Sequence, residues 1–177
     1  MTRAAFATRA AAMSRRAAAR AACAGFTLIE MVITIMLAGV LTTMALPYYR
    51  NLILNQSVKT AASDLQIAFL FARSEALKRG ADILVVPGSS DWKNGWSVQL
   101  ADTTVVRSQP ALNPQLASIA GTTVTYGSDG HVSAAPGPLV FRVSGNRAVT
   151  ARCVVLDLSG RPSIVSDTDR DPSNGCN

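Results

Sequence analysis

The sequence predicts an α+β protein: one long N-terminal α-helix, membrane-spanning in its first half, packed on a C-terminal antiparallel β-sheet body. Three observations carry this. Residues Phe26 to Leu46 form an apolar run of 21 residues whose one charge is Glu30, and about 20 apolar residues span a bilayer as a helix. Beyond Pro47, apolar residues return at steps of three and four, the period of an amphipathic helix. From Ala81 onward, short segments rich in β-branched residues are separated by Gly, Pro, Asn, Asp and Ser, the pattern of strands and turns.

The apolar run is read together with what precedes it. The chain has 177 residues, room for one ordinary domain and an appendage, and a formal net charge of +6. That sum points to an acidic partner, nucleic acid or an anionic membrane. Its distribution says otherwise: residues 1–25 hold five arginines and no acid, which leaves 12 basic and 11 acidic side chains in the remainder. A basic flank before an apolar segment stays in the cytoplasm, so the body faces outward across the inner membrane. A secretory signal peptide shares the basic start and apolar run, but its small residues follow the run at the cut. Here Ala21, Ala22, Ala24 and Gly25 come first, so a cut at Gly25 removes the leader and keeps the helix. Met13 offers a second start, with a 13-residue leader. Glu30 is costly in a bilayer, about 2.5–3.5 kcal/mol, and calls for a partner. A new amine on Phe26, most simply in a neighbouring copy, would supply one. The alternative is a signal anchor that tolerates an acid at its helix N-terminus.

The second half of the helix has one apolar face. Leu54, Val58, Ala61, Leu65, Ala68, Ala72 and Ala76 follow each other by three or four residues. Pro47 should kink the helix without ending it, and Gly80 after Lys78-Arg79 is a stop signal. A helix from Phe26 to Arg79 would measure roughly 80 Å at 1.5 Å per residue. The small residues on its face admit close packing by a sheet. An oligomeric coiled coil is disfavoured, because large apolar side chains do not fill both heptad positions.

In the body, residues 83–86, 96–100, 103–106, 122–126, 139–143 and 148–158 read as strands, for six or seven antiparallel strands in all. Trp92 and Trp96 flank the turn dipeptide Asn94-Gly95. Tryptophans capping a hairpin core explain this better than base-stacking ones. At 49% hydrophobic the chain is too apolar for intrinsic disorder. Three cysteines are too few for a disulfide-built mini-protein, and a single histidine excludes most multi-histidine metal sites. No nucleophile elbow, phosphate-binding loop or dinucleotide fingerprint is present. His131, in Gly127-Ser128-Asp129-Gly130-His131, reads as a surface loop residue. No catalytic residue, metal or cofactor is predicted.

Gly25-Phe26-Thr27-Leu28-Ile29-Glu30 resembles the processing site of type IV prepilins and type II secretion pseudopilins. The resemblance implies cleavage after Gly25 by prepilin peptidase, N-methylation of Phe26, and a filament-assembly role for Glu30 through pairing with a terminal amine. Ala72-Arg73-Ser74-Glu75-Ala76-Leu77-Lys78-Arg79 followed by the Trp92…Gly95-Trp96 turn is similar to the GspH/FimT branch of that family, minor pilins such as FimU included. It implies a leader at 1–25, a membrane or filament-core helix half at 26–46, an amphipathic half at 47–79, and a globular body at 80–177. It also implies a minor type IV pilin that helps initiate or cap pilus assembly. Its partners would be other pilins or pseudopilins, met through the helix. The chain would sit in the inner membrane with its body periplasmic, then in a periplasmic or extracellular filament. A GspH-type pseudopilin of type II secretion is the alternative. FimT-like proteins also bind DNA through Gly-Arg-x-Arg. The chain reads Gly160-Arg161-Pro162-Ser163, so the second arginine is missing, and Arg161, Arg152, Arg147 and Arg170 are the DNA-contact candidates, centred on Arg161. The last 36 residues hold five basic and four acidic side chains, a weak footprint for a polyanion.

Cys23 would leave with the leader, so Cys153 and Cys176 remain. In an oxidising compartment two cysteines usually pair; two free thiols are the alternative. A bridge would stabilise by about 3 kcal/mol and pin the polar tail. The run Asp167-x-Asp169-x-Asp171 lacks the glycine and distal glutamate of a calcium loop.

Overall fold

A computed structural model describes residues 25–118, 121–169 and 176. Residues 1–40 and 41–177 form two units. Helix α1 runs from Leu28 to Arg79. It starts two residues later than Phe26 because Thr27 caps it. It continues through Pro47, which has no N–H to add to the ladder.

Between Leu28 and Ile53 no residue of α1 is buried. From Leu54 the predicted face is buried at all seven positions, joined by Ala62, Phe69 and Glu75. The helix ends as its sequence requires. Gly80 adopts φ 62° and its N–H donates to the Ala76 carbonyl at 2.9 Å, a left-handed C-cap beside two cations.

The body has eight strands among the described residues, more than the six or seven expected, and they form two sheets. β1 (Ile83–Pro87), β2 (Trp96–Leu100), β3 (Val105–Gln109) and β5 (Val124–Tyr126) make one in the order β3-β2-β1-β5. β4 (Leu116–Ser118), β6 (Leu139–Val143), β7 (Arg152–Leu156) and β8 (Pro162–Ser166) make the other, in the order β4-β6-β7-β8. All pairings are antiparallel.

Three expected strands shift, the 122–126 strand beginning only at Val124. The 103–106 strand begins only at Val105, because Thr103 has φ 69° and Asp102 accepts the Thr104 N–H at 2.9 Å, which makes a turn. The 148–158 strand shrinks to Arg152–Leu156, because Thr150 donates its N–H to Asn55 on the helix (3.0 Å) rather than to a strand.

One core joins α1 to both sheets. Its centre is aromatic: Phe69 meets Trp92 edge-on at 5.9 Å and Tyr126 at 6.4 Å, and Trp92 lies 6.3 Å from Trp96. Both tryptophans are buried, which excludes them as stacking platforms. Trp96 opens β2, and Trp92 sits on an eight-residue β1–β2 connection, not a two-residue hairpin. Gly95 there has φ 85° and a Cβ would fall 2.2 Å from the Gln109 carbonyl oxygen, so glycine is required.

A second small cluster, Val140, Ala151 and Cys153 with Val155 and Cys176, lies away from the main core. Cys153 is bonded to Cys176, with Cα atoms 6.0 Å apart. Val140 pairs with Cys153 across β6 and β7. The bridge therefore anchors Cys176 on the face of the second sheet turned from the helix.

Candidate functional site

The processing motif lies at the start of α1. Gly25, Phe26 and Thr27 are outside the helix and exposed, Phe26 at 74%. Thr27 is the N-cap: its Oγ1 accepts the Glu30 N–H at 3.2 Å and its carbonyl accepts the Met31 N–H at 3.2 Å. Thr27 and Glu30 stand in the spacing of a capping box, with an acid at the third helical position. That T-x-x-E spacing is the sequence signal for a helix starting at Leu28 rather than at Phe26. The arrangement leaves a non-helical peptide bond after Gly25 and an exposed carboxylate one turn beyond it. Among the described residues, one helix is long and apolar enough to cross a membrane, and this motif opens it.

Among the described residues, the arginines expected as DNA contacts, Arg147, Arg152 and Arg161, are not gathered into a patch. Arg147 lies exposed in the β6–β7 connection and Arg161 lies exposed in the β7–β8 turn. Because β7 runs antiparallel to both neighbours, these are opposite ends of the sheet, roughly 15 Å apart along five residues of strand. Arg152 is half-buried on β7 and its guanidinium donates to the Ser166 hydroxyl. Arg170 lies outside the described residues. Arg147 and Arg152 therefore lie toward the end of β7 opposite to Arg161.

Gly160, which precedes Arg161, has a packing role of its own. At φ 76°, a Cβ would sit 2.3 Å from the Gly130 carbonyl oxygen. Tyr126 donates its hydroxyl to the Gly160 carbonyl at 3.3 Å, and burial raises its phenol well above the ordinary value. Arg73 Nε donates to the same Gly130 carbonyl at 3.1 Å, and Gln66 Nε2 to the Pro162 carbonyl at 3.2 Å. Polar residues of α1 thus lock this end of the body to the helix.

The other end is locked too, by contacts the sequence does not reveal. Asn146 Nδ2 donates to Asn51 Oδ1 at 2.9 Å, and Asn55 receives the Thr150 N–H. Asparagines in a loop and on a helix carry no periodicity, so only the fold shows that they meet.

His131 is exposed beside Asp129, with Nδ1 3.3 Å from Oδ2. Asp129 also accepts the His131 N–H at 3.0 Å, which first among several causes holds its carboxyl below the ordinary range. This is a turn closed by its own side chain. Among the described residues no three of His, Cys, Asp and Glu come together as a metal-ligand group; Asp171 of the acidic run lies outside them.

Comparison with known proteins gives the same picture. Residues 61–160 match the family described as type II transport protein GspH, and residues 20–46 match the prokaryotic N-terminal methylation motif. No curated protein matches. The fold is similar to that of the type IV minor pilin FimU of Pseudomonas aeruginosa PAO1. In one crystal form the identity is 20% and the TM-score 0.55, covering 69% of this chain and 93% of that one. In a second the identity is 20% and the TM-score 0.52, covering 67% and 96%. The methylation motif implies processing by prepilin peptidase and partners within the pilin family, and the apolar helix with that motif fits a membrane-anchored pilin. The family is structural, not catalytic. The chain belongs to the GspH/FimT/FimU family of type IV pilin-like proteins.

Proposed function

We propose that the chain is a minor type IV pilin, cleaved after Gly25, methylated on Phe26, and inserted into a filament whose assembly it helps initiate or cap. The observation that carries this is the start of α1. A protease needs an accessible, non-helical bond, and Gly25-Phe26-Thr27 is both exposed and held outside the helix by the Thr27 cap. Glu30 then projects from the first turn, where a terminal amine of a neighbouring subunit can neutralise it. The leader at 1–25, the core half of the helix at 26–46, the amphipathic half at 47–79 and the body at 80–177 are the parts this role uses. The inner membrane holds the chain before assembly and the periplasmic or extracellular filament holds it afterwards.

A Gly25→Ala variant should accumulate uncleaved, as read by N-terminal sequencing and mass. A variant chain still beginning at Phe26 would sink the proposal. A GspH-type pseudopilin is the second reading, favoured by the family description itself. A deletion strain separates the two: loss of surface pili supports the first, and loss of protein export with pili intact supports the second.

A further inference from the structure

The apolar run ends inside the 41–177 unit. Leu46 is followed by Pro47, Tyr48, Tyr49 and Arg50. Tyr48 is 80% and Tyr49 62% exposed, and Arg50 is exposed as well. Exposed tyrosines next to an apolar span are the residues that settle at a membrane–water boundary, where an apolar ring and a polar hydroxyl are both accommodated.

The β6–β7 connection is held at the same height. Asn146 is bonded to Asn51, five residues beyond Leu46, or roughly 7 Å along a helix at 1.5 Å per residue. The polar headgroup layer on each side of a bilayer is about that thick. Arg147, the next residue after Asn146, is exposed there. An open groove of about 500 Å³ lined by Tyr49, Arg50, Ile53, Leu54 and Gln115 lies at this end. The described acids at this end follow β8: Asp167 is buried, with its N–H donating to the Ala151 carbonyl at 3.1 Å, and Asp169 is exposed. No Asp or Glu occurs in residues 31–63 or 130–156, the segments that supply Arg50, Asn51, Asn146 and Arg147.

We propose that Tyr48, Tyr49 and Arg50 of the helix, together with Arg147 of the β6–β7 connection, form a collar that binds the anionic phospholipid headgroups of the membrane the helix spans. This rests on the reading of residues 26–46 as the membrane span. The tyrosines mark the boundary, and the arginines meet lipid phosphates, each basic residue near an anionic surface being worth about a fivefold change in occupancy. The Asn146–Asn51 bond ties the loop to the helix, so the body is held against the membrane at one defined end. The opposite end, with Arg161, is turned away from it.

The test uses the full chain reconstituted in vesicles of phosphatidylcholine alone or with added phosphatidylglycerol. Amide exchange of residues 144–150 should slow about fivefold or more in the anionic vesicles. The effect should vanish in the double variant R50Q/R147Q. Exchange in the 157–161 turn should be the same in all samples, which also shows that the variant is folded. Equal exchange of 144–150 in both vesicle types, or equal slowing at 157–161, overturns the collar. Flotation of the same samples in alkaline carbonate tests the anchor. A chain that floats with 144–150 unaffected overturns the collar alone, and a chain that fails to float overturns the collar and the membrane span together.

Discussion

Residues 28–53 and 54–76 belong to one helix and share one backbone geometry, yet they solve opposite problems. The first stretch is apolar nearly all round and none of it is buried. The second is apolar on one face, and ten of its residues are buried. A helix that is apolar on every side requires an apolar medium on every side. A helix with one apolar stripe requires a single partner surface, which the two sheets provide. The difference lies in the side chains alone: the same hydrogen-bonded rod is addressed to lipid or other helices in one part and to its own body in the other.

The sharpest way to break this comparison is to cut one large side chain from each half. Phe69→Ala removes the ring that touches both Trp92 and Tyr126, and a buried phenylalanine lost from a core costs about 3–5 kcal/mol. Leu41→Ala removes a side chain that is 66% exposed and should leave the stability of the body unchanged. Urea unfolding of the detergent-solubilised chain, followed by tryptophan fluorescence, reads both. Comparable losses in the two variants would mean that the halves are not divided as described.

The next effect concerns the far face of the second sheet. Cys153→Ser with Cys176→Ser releases a closure spanning 23 residues, a loss of about 3 kcal/mol. The urea midpoint of the variant should equal that of the reduced native chain. A midpoint unchanged by reduction would show that the tail is held by other contacts.

How much of the molecule is legible in its sequence depends on whether a feature is local. The helix face from Leu54 to Ala76 repeats every three or four residues, so periodicity alone identifies it; Phe69 falls beside the traced stripe and joins the core because the buried face is wider than one row. Ile83–Val86, Trp96–Leu100 and Leu139–Val143 are β-branched or aromatic runs and declare themselves as strands. β4 is three residues long and β8 begins with proline and carries two serines, so neither has a pattern strong enough to stand out. The division into two sheets depends on pairings such as Val154 with Ile164, which no single segment encodes. At the helix start the motif is plain in the sequence. The arginines suggest a cluster because they are near in sequence, but antiparallel strands send consecutive turns to opposite ends.

A smaller effect tests the helix start itself. Thr27→Ala removes the hydroxyl that accepts the Glu30 N–H, and loss of an N-cap costs about 1 kcal/mol. Amide exchange of residues 30–32 should quicken about fivefold while residues 65–76 stay unchanged, because fraying is confined to the first turn. Faster exchange throughout the helix would show that its two stretches are coupled more closely than their packing implies.

The smallest effect is electrostatic and belongs to the body-facing stretch. Glu75 is only 8% exposed on the buried face and accepts a hydrogen bond from Arg79 Nε at 2.6 Å, with Lys78 Nζ 3.7 Å away. The Arg79 hydrogen bond, opposed by burial and helped by the two cations, holds its carboxyl below the ordinary glutamate range. A carboxyl whose value is lowered on folding is less readily protonated in the folded chain than in the unfolded one. Its contribution is therefore complete above the unfolded value and is lost as pH falls through the folded one. The urea midpoint should decline on acidification below the ordinary glutamate range, and Glu75→Gln should flatten that decline while leaving the neutral-pH fold intact. An identical acid limb in the variant would assign the pH dependence to other carboxylates, Asp91 with its hydrogen bonds from Ser118 and the Lys93 N–H being the first to examine.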